Sequence, residues 1–125
     1  DFKGKNIVLF FYPRANTPGC TAQACNLSEN YERLTKAGYS IYGVSADQVK
    51  HQSSFSNKFG FPYPLLADTE KTLINSFGVW GFKKFMGKEY EGILRTTFVL
   101  NKNSVITNVI EKVKTKDHTS QILDL

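Results

Sequence analysis

The first third of the chain restricts the fold more than any other part, because a strand, a helix start and a second strand follow one another there. Asn6 to Tyr12, "NIVLFFY", is an unbroken apolar run rich in β-formers and halted by Pro13. That is the pattern of a central strand covered on both faces. Thr17-Pro18 then opens a helix: a Thr hydroxyl can cap the free N–H groups, and Pro suits the first helical position, where no N–H is required. Leu27, Tyr31 and Leu34 share one face, and Gly38 supplies a stop, so the helix is expected to run to about Ala37. "YSIYGVS" from Tyr39 is the second strand. A strand, a helix and a parallel strand form a right-handed crossover, with the helix laid against the sheet.

Beyond this unit, "SADQVKHQSSFSNKFG" reads as a helix opened by Ser45 or Asp47 and closed by Gly60, with Val49 and Phe55 or Phe59 turned inward. "FPYPLLAD" carries two prolines, which exclude a regular central strand and leave a loop with a short edge strand near Asp68. Asp68 or Thr69 caps a short helix through Phe77, stopped at Gly78. "GVWGFKKFMGKEYEG" holds four Gly and no steady period, and we expect a long connection. "LRTTFVLN" and "SVITNVIEKV" flank the turn residues "NKNS" and form an antiparallel hairpin. A last helix starts at Asp117 or Thr119. A parallel βαβ half followed by a hairpin and a helix gives an α/β, thioredoxin-like plan, a mixed central sheet flanked by helices. With 125 residues and no internal linker, we expect residues 1–125 to form a single domain.

Composition matters here mainly for what it excludes. The net charge of +5 comes from scattered Lys and Arg mixed with acids and aromatics, so we expect no nucleic-acid partner. No run approaches the roughly 20 apolar residues of a membrane span, and we expect no membrane partner either. The opening "DFKGK" has no initiator Met and enters a core strand at once, from which we expect a preceding segment.

The only two cysteines, Cys20 and Cys25, lie within "TPGCTAQAC". A zinc site needs more ligands than this pair, and His51 and His118 are distant and unclustered, so no metal is expected. A permanent staple conflicts with the helix, because residues five apart on an intact helix have Cα atoms about 8–9 Å apart and a disulfide tolerates at most about 7 Å. That leaves reactivity. Cys20 falls in the first turn, where free N–H groups and the positive dipole end favour a thiolate, whereas Cys25 lies more than a turn later and gains little. The bland alternative, Cys20 as a small buried apolar side chain, sits poorly with a Pro-flanked turn, a cap and a helix start.

A cysteine that oxidises to sulfenic acid and is then captured by a nearby thiol is a peroxide-reducing arrangement. It needs a hydrogen-bonding group, a cation and shielding from water. Thr17 faces the same helix end as Cys20, and Pro13 at the strand end can shield the sulfur. Arg14, Arg33 and Arg95 are candidate cations, and spacing alone does not choose among them.

These residues resemble the peroxiredoxins, and within them the peroxiredoxin Q group, also called bacterioferritin comigratory proteins. Pro13, Thr17 and Cys20 match the motif, the group's version appears as "TPGCTAQAC", and the likeness continues through "YGVSAD", "FPYPLLAD", "FGVWGFKKFMGKEYEGILRTTFVL" and "VKTKDH". The resemblance implies a thioredoxin fold, with Cys20 as the peroxidatic and Cys25 as the resolving cysteine and Arg95 of "RTTF" as the cation that holds the thiolate. It also implies reduction of hydrogen peroxide and organic hydroperoxides, with no cofactor, through a Cys20–Cys25 disulfide that thioredoxin or a similar dithiol recycles. A disulfide within one chain needs no second subunit, so a monomer is expected. A redox pair near the surface fits a reducing compartment such as the cytoplasm, with plastid and periplasm left open. Three departures stand out: Gln23 where the group usually has Glu, "RAN" before Thr17 in place of a basic-acidic-Asn run, and no N-terminal hairpin ahead of the first strand.

Other residues receive plainer readings. Trp80, Phe82, Phe85 and Met86 are expected to pack in the core under the long connection, with a substrate pocket or partner surface as the alternative, His51 and His118 to lie on the surface, and the acceptor-like "NLS" at Asn26 to be a chance match. Two rival functions remain: a redox-dependent binding module, and a thiol–disulfide carrier, although the C-x-x-C motif of such carriers is absent.

Overall fold

The computed structural model describes residues 6–85 and 87–125, without the side chains of residues 84 and 85. β1 (Asn6–Phe11) is the centre of a five-stranded sheet in the order β3-β2-β1-β6-β7. β2 (Tyr39–Ser45) and β3 (Leu65–Ala67) run parallel to it on one side. On the other side β6 (Thr96–Leu100) runs antiparallel to β1, and β7 (Ile106–Ile110) runs antiparallel to β6. This is the mixed thioredoxin-like sheet that the sequence predicts, with Asn101 folding the β6–β7 turn by accepting from the N–H groups of Asn103 and Val105.

Strand alternation on β1 sends its side chains to two cores. Val8, Phe10 and Tyr12 pack with Cys20, Ala24 and Leu27 of α1 (Pro18–Glu29), Leu34 of α2 (Tyr31–Lys36), Phe55 of α3 (Val49–Phe59) and Ile122 of α5 (His118–Leu123). Ile7, Leu9 and Phe11 pack with Ile74 of α4 (Thr72–Ser76), Val79, Ile93 and Phe98. The α1 segment that carries Cys20 therefore lies on a fully buried face of the central strand, which fixes its position relative to β6.

Several expectations are corrected. The helix expected to run to Ala37 ends at Glu29 and resumes at Tyr31, because the Asn30 side-chain amide turns back to the Asn26 carbonyl at 2.8 Å. α3 starts at Val49 after Gln48, not at Ser45 or Asp47, and Val49 is 69% exposed rather than inward. Phe55 is the inward aromatic, and Gly60 closes α3 in the left-handed conformation that favours glycine. The N-cap of α4 is Lys71 rather than Asp68 or Thr69, and the helix ends at Ser76, but the Asp68 carboxylate still accepts from the first-turn N–H of Ile74 at 2.8 Å.

The expected long connection is a two-stranded ribbon, β4 (Trp80–Phe85) paired antiparallel with β5 (Lys88–Ile93). Its glycines masked the alternation. Phe82 is 74% exposed, so it does not pack in a core. The Phe85 side chain and Met86 lie outside the described residues. His51 is exposed as expected, whereas His118 is fully buried.

Candidate active site

Between β1 and α1 the chain must turn sharply. Asn16 takes a left-handed conformation (φ 64°), which Asn tolerates better than most residues, and the Ala15 N–H is tied to the Asp47 carboxylate at 2.8 Å. Ser45 donates to the same carboxylate oxygen at 2.7 Å. Asp47, expected to open a helix, thus fastens the turn before Cys20 to the end of β2. Only its place after a buried strand could have hinted at this.

Thr17 occupies the N-cap position with extended backbone, and Pro18 follows at the first helical position. Contrary to the sequence expectation, its hydroxyl does not cap the helix; it donates to the Arg14 carbonyl at 2.8 Å. The first intrahelical bond runs from the Thr21 N–H to the Thr17 carbonyl. The N–H groups of Gly19 and Cys20 therefore have no acceptor within the helix, and the positive end of α1 lies at Cys20.

Arg95 arrives from the residue before β6 and donates through Nη2 to the Cys20 Sγ at 3.2 Å and through Nη1 to the Gln23 Oε1 at 2.6 Å. Gly19 permits this approach, since a Cβ there would lie 3.2 Å from the same Nη2. No carboxylate lies within ion-pair distance of Arg95 among the described residues. Gln23 is fully buried, and its Nε2 has no hydrogen-bond partner. Arg14 turns its carbonyl to Thr17 and Arg33 bonds to Asn30, so of the three candidate cations the structure brings Arg95 to Cys20.

Lys83 on β4 is a second cation here, held by the Ile93 carbonyl at 2.9 Å; burial, with the nearby Arg95 charge, lowers its pKa. Sequence gave no signal for it, because β4 read as loop. Two open clefts meet at Lys83. One of about 670 Å³ includes Arg95, Leu94 and Phe77; the other, about 430 Å³, includes Pro13, Arg14, Trp80 and Tyr90. Trp80 packs against the second core, as expected, and also lines this cleft together with Pro13.

Both cysteines are free thiols. Cys20 is 1% exposed, while Cys25 is half-buried with its pKa raised by burial and by the neighbouring Glu29 charge. The far end of α1 is anchored elsewhere. Tyr63 donates to the Ala24 carbonyl at 2.6 Å, and Asn26 bonds to the segment that opens α5. Under that segment the His118 Nδ1 faces the Gln121 Oε1 at 2.9 Å and its Nε2 faces the Thr97 hydroxyl at 2.8 Å. An amide oxygen only accepts, so Nδ1 carries the proton and Nε2 accepts from Thr97. Burial lowers the His118 pKa, and the charge of Arg95 adds to this. Among the described residues no group of three His, Cys, Asp or Glu side chains could hold a metal ion, and no helix is long and apolar enough to cross a membrane.

A mixed sheet, a cysteine in the first turn of the helix after its central strand, and an arginine on the sulfur together define the thiol-peroxidase class. The chain belongs to the AhpC/TSA family, whose model matches residues 1–109, and within it to the Bcp or peroxiredoxin Q group of peroxiredoxins; it is a thiol-dependent peroxidase. It is 43% identical over 124 residues to a putative peroxiredoxin Bcp of Haemophilus influenzae, covering 99% of this chain and 80% of that one. Identity to the Escherichia coli K12 peroxiredoxin Bcp is 41%, with the same coverage. Among solved structures, the Xanthomonas campestris bacterioferritin comigratory protein, studied for alkyl peroxide reduction as a trapped intermediate, superposes with a TM-score of 0.92 at 35% identity, over 98% of this chain and 77% of that one.

Proposed function

We propose that Cys20 is the peroxidatic cysteine and Cys25 the resolving one. The observation that carries this reading is the 3.2 Å contact of Arg95 with the Cys20 sulfur in the first turn of α1. The guanidinium and the unspent N–H groups stabilise negative charge on the sulfur. The thiolate attacks the terminal oxygen of hydrogen peroxide or an organic hydroperoxide. The S–O bond forms as O–O breaks, and the leaving oxygen takes a proton and departs as water or alcohol. Arg95 and the helix N–H groups stabilise the charge that moves across the two oxygens, the Thr17 hydroxyl, its proton given to the Arg14 carbonyl, can accept from the peroxide O–H, and Pro13 shields the sulfur from water. Cys25 then attacks the Cys20 sulfenic acid, giving the disulfide and water. Thioredoxin or a similar dithiol supplies the two electrons that restore both thiols, as is typical of the family.

We further propose that the cycle is completed within one monomeric, single-domain protein in a reducing compartment such as the cytoplasm. Two cysteines five positions apart on one chain support the monomer, since neither needs a second subunit. A binding module switched by the same disulfide is the rival that turnover separates.

Peroxide consumption coupled to thioredoxin is expected to vanish in Cys20→Ser. In Cys25→Ser the first oxidation proceeds, and dimedone traps a sulfenic acid on Cys20. Wild-type consumption by Cys20→Ser defeats the assignment of the nucleophile. An intact Cys20 thiol after peroxide treatment of Cys25→Ser defeats that of the resolver.

A further inference from the structure

Asn26 directly follows Cys25, and its side-chain bonds go to α5 and to the turn that leads into it. Its Nδ2 donates to the Lys116 carbonyl at 3.0 Å, and its Oδ1 accepts from the Thr119 N–H at 2.8 Å. Its own carbonyl accepts from the Thr119 hydroxyl at 3.2 Å and from the Asn30 side-chain amide at 2.8 Å. Thr119 is the second residue of α5, and Asp117 at the N-cap position makes no side-chain cap bond. Asn26 therefore performs from α1 the capping that α5 lacks locally: it satisfies a first-turn N–H.

The position of this bond matters because of what resolution requires. An intact helix keeps the Cα atoms of Cys20 and Cys25 about 8–9 Å apart, beyond the reach of a disulfide. Cys20 is packed in the main core beneath Arg95, whereas Cys25 is half-buried at its margin. Bridging the two sulfurs requires Cys25 to shift toward Cys20, and that movement pulls on Asn26, the next residue. Displacing Asn26 uncaps α5 and leaves the Lys116 carbonyl and the Thr119 N–H to find new partners.

We infer that Asn26 is a latch: a positioning residue that holds Cys25 away from Cys20 and makes release of α1 from α5 the step that limits disulfide formation. This rests on the assignment of Cys25 as the resolving thiol. The latch governs how long the Cys20 sulfenic acid survives, and so the chance that a second peroxide oxidises it to the sulfinic acid before Cys25 arrives. It acts after the O–O bond is broken and leaves the first step untouched.

The test follows the reduced protein after mixing with hydrogen peroxide, quenched at intervals and read by mass as thiol, dimedone-trapped sulfenic acid and disulfide. Asn26→Ala is expected to shorten the sulfenic acid lifetime about five- to tenfold, the effect of losing one or two neutral hydrogen bonds, while Cys20 is oxidised at the wild-type rate. Asn26→Asp keeps the acceptor for Thr119 and loses the donor to Lys116, so its lifetime falls between the two. Thr119→Val loosens the latch from the other side with no change at α1 and shifts the lifetime in the same direction. Faster amide exchange at residues 24–26 accompanies each. An unchanged or longer lifetime in Asn26→Ala overturns the latch, and if that variant does not fold, the same result in Thr119→Val overturns it. Failure of the wild type to form any disulfide instead overturns the Cys25 assignment beneath it.

Discussion

The two ends of α1 are held by different chemistry. At the Cys20 end a guanidinium bonds the sulfur and the Gln23 amide, an interaction whose strength depends on charge at the sulfur. At the Cys25 end neutral partners do the holding: Tyr63 on the Ala24 carbonyl, and Asn26 with Thr119 and Lys116. In the proposed cycle, oxidation of Cys20 to a neutral sulfenic acid weakens the first set while leaving the second as it was. One helix can therefore be stiff where chemistry starts and still be released in a separate, later step. Lowering the barrier to opening need not disturb the geometry of attack.

Removing the charge at the first end is the severest challenge to this contrast. Arg95→Gln is expected to slow oxidation of Cys20 about 100- to 1,000-fold, the usual effect of losing a donor that stabilises charge in the transition state. The conversion of sulfenic acid to disulfide, measured separately, should not slow. Equal losses in both steps would mean that the ends are not independent.

Gln23 allows a finer cut, because it sits at the Cys20 end but carries a cost of its own. Its Oε1 steadies Arg95 while its Nε2 is buried without a partner, a defect worth about 1–3 kcal/mol. Gln23→Met removes both. Cys20 oxidation should fall about five- to tenfold as Arg95 loses its tether, while the midpoint of chemical denaturation stays level or rises. A clear loss of stability would show that the amide contributes more to folding than to aiming Arg95.

The smallest effect belongs to the second end. His118 is buried beneath the α5 turn to which Asn26 is bonded, and its pKa lies below the usual 6.5. The folded protein thus binds fewer protons than the unfolded chain in this range. The stability His118 contributes is complete above about pH 6.5 and declines as pH falls through the lowered native value. Amide exchange of α5 and residues 24–26 should quicken over that window before exchange at the first turn of α1 does. The attribution to His118 fails if His118→Gln shows the same acid response.

The difference in chemistry also explains what the sequence disclosed. The βαβ unit, the Cys20 helix start and the β6–β7 hairpin were legible because each rests on local signals: an apolar run, a Pro at the first helical position, a polar turn. Arg95 was beyond spacing arguments, since 75 residues separate it from Cys20, and only the family resemblance singled it out. The break at Asn30 was hidden because Leu27, Tyr31 and Leu34 keep helical period across it, whereas its cause is a side-chain bond. Asn26 read as a chance motif and His118 as a surface residue for a related reason: their partners lie 93 and 21 residues away. The β4–β5 ribbon was lost among its glycines.

Trp80, the only tryptophan in the chain, lies in the same cleft as Pro13, with the Lys71 ammonium 4.5 Å from its ring centroid and its Nε1 donating to Glu91 at 3.4 Å. Indole emission responds to nearby charge and solvent, so light from this one residue reports on the mouth of the site without any label. The chain carries its own optical clock, and the separate events at the two ends of α1 can be timed against it in unmodified protein.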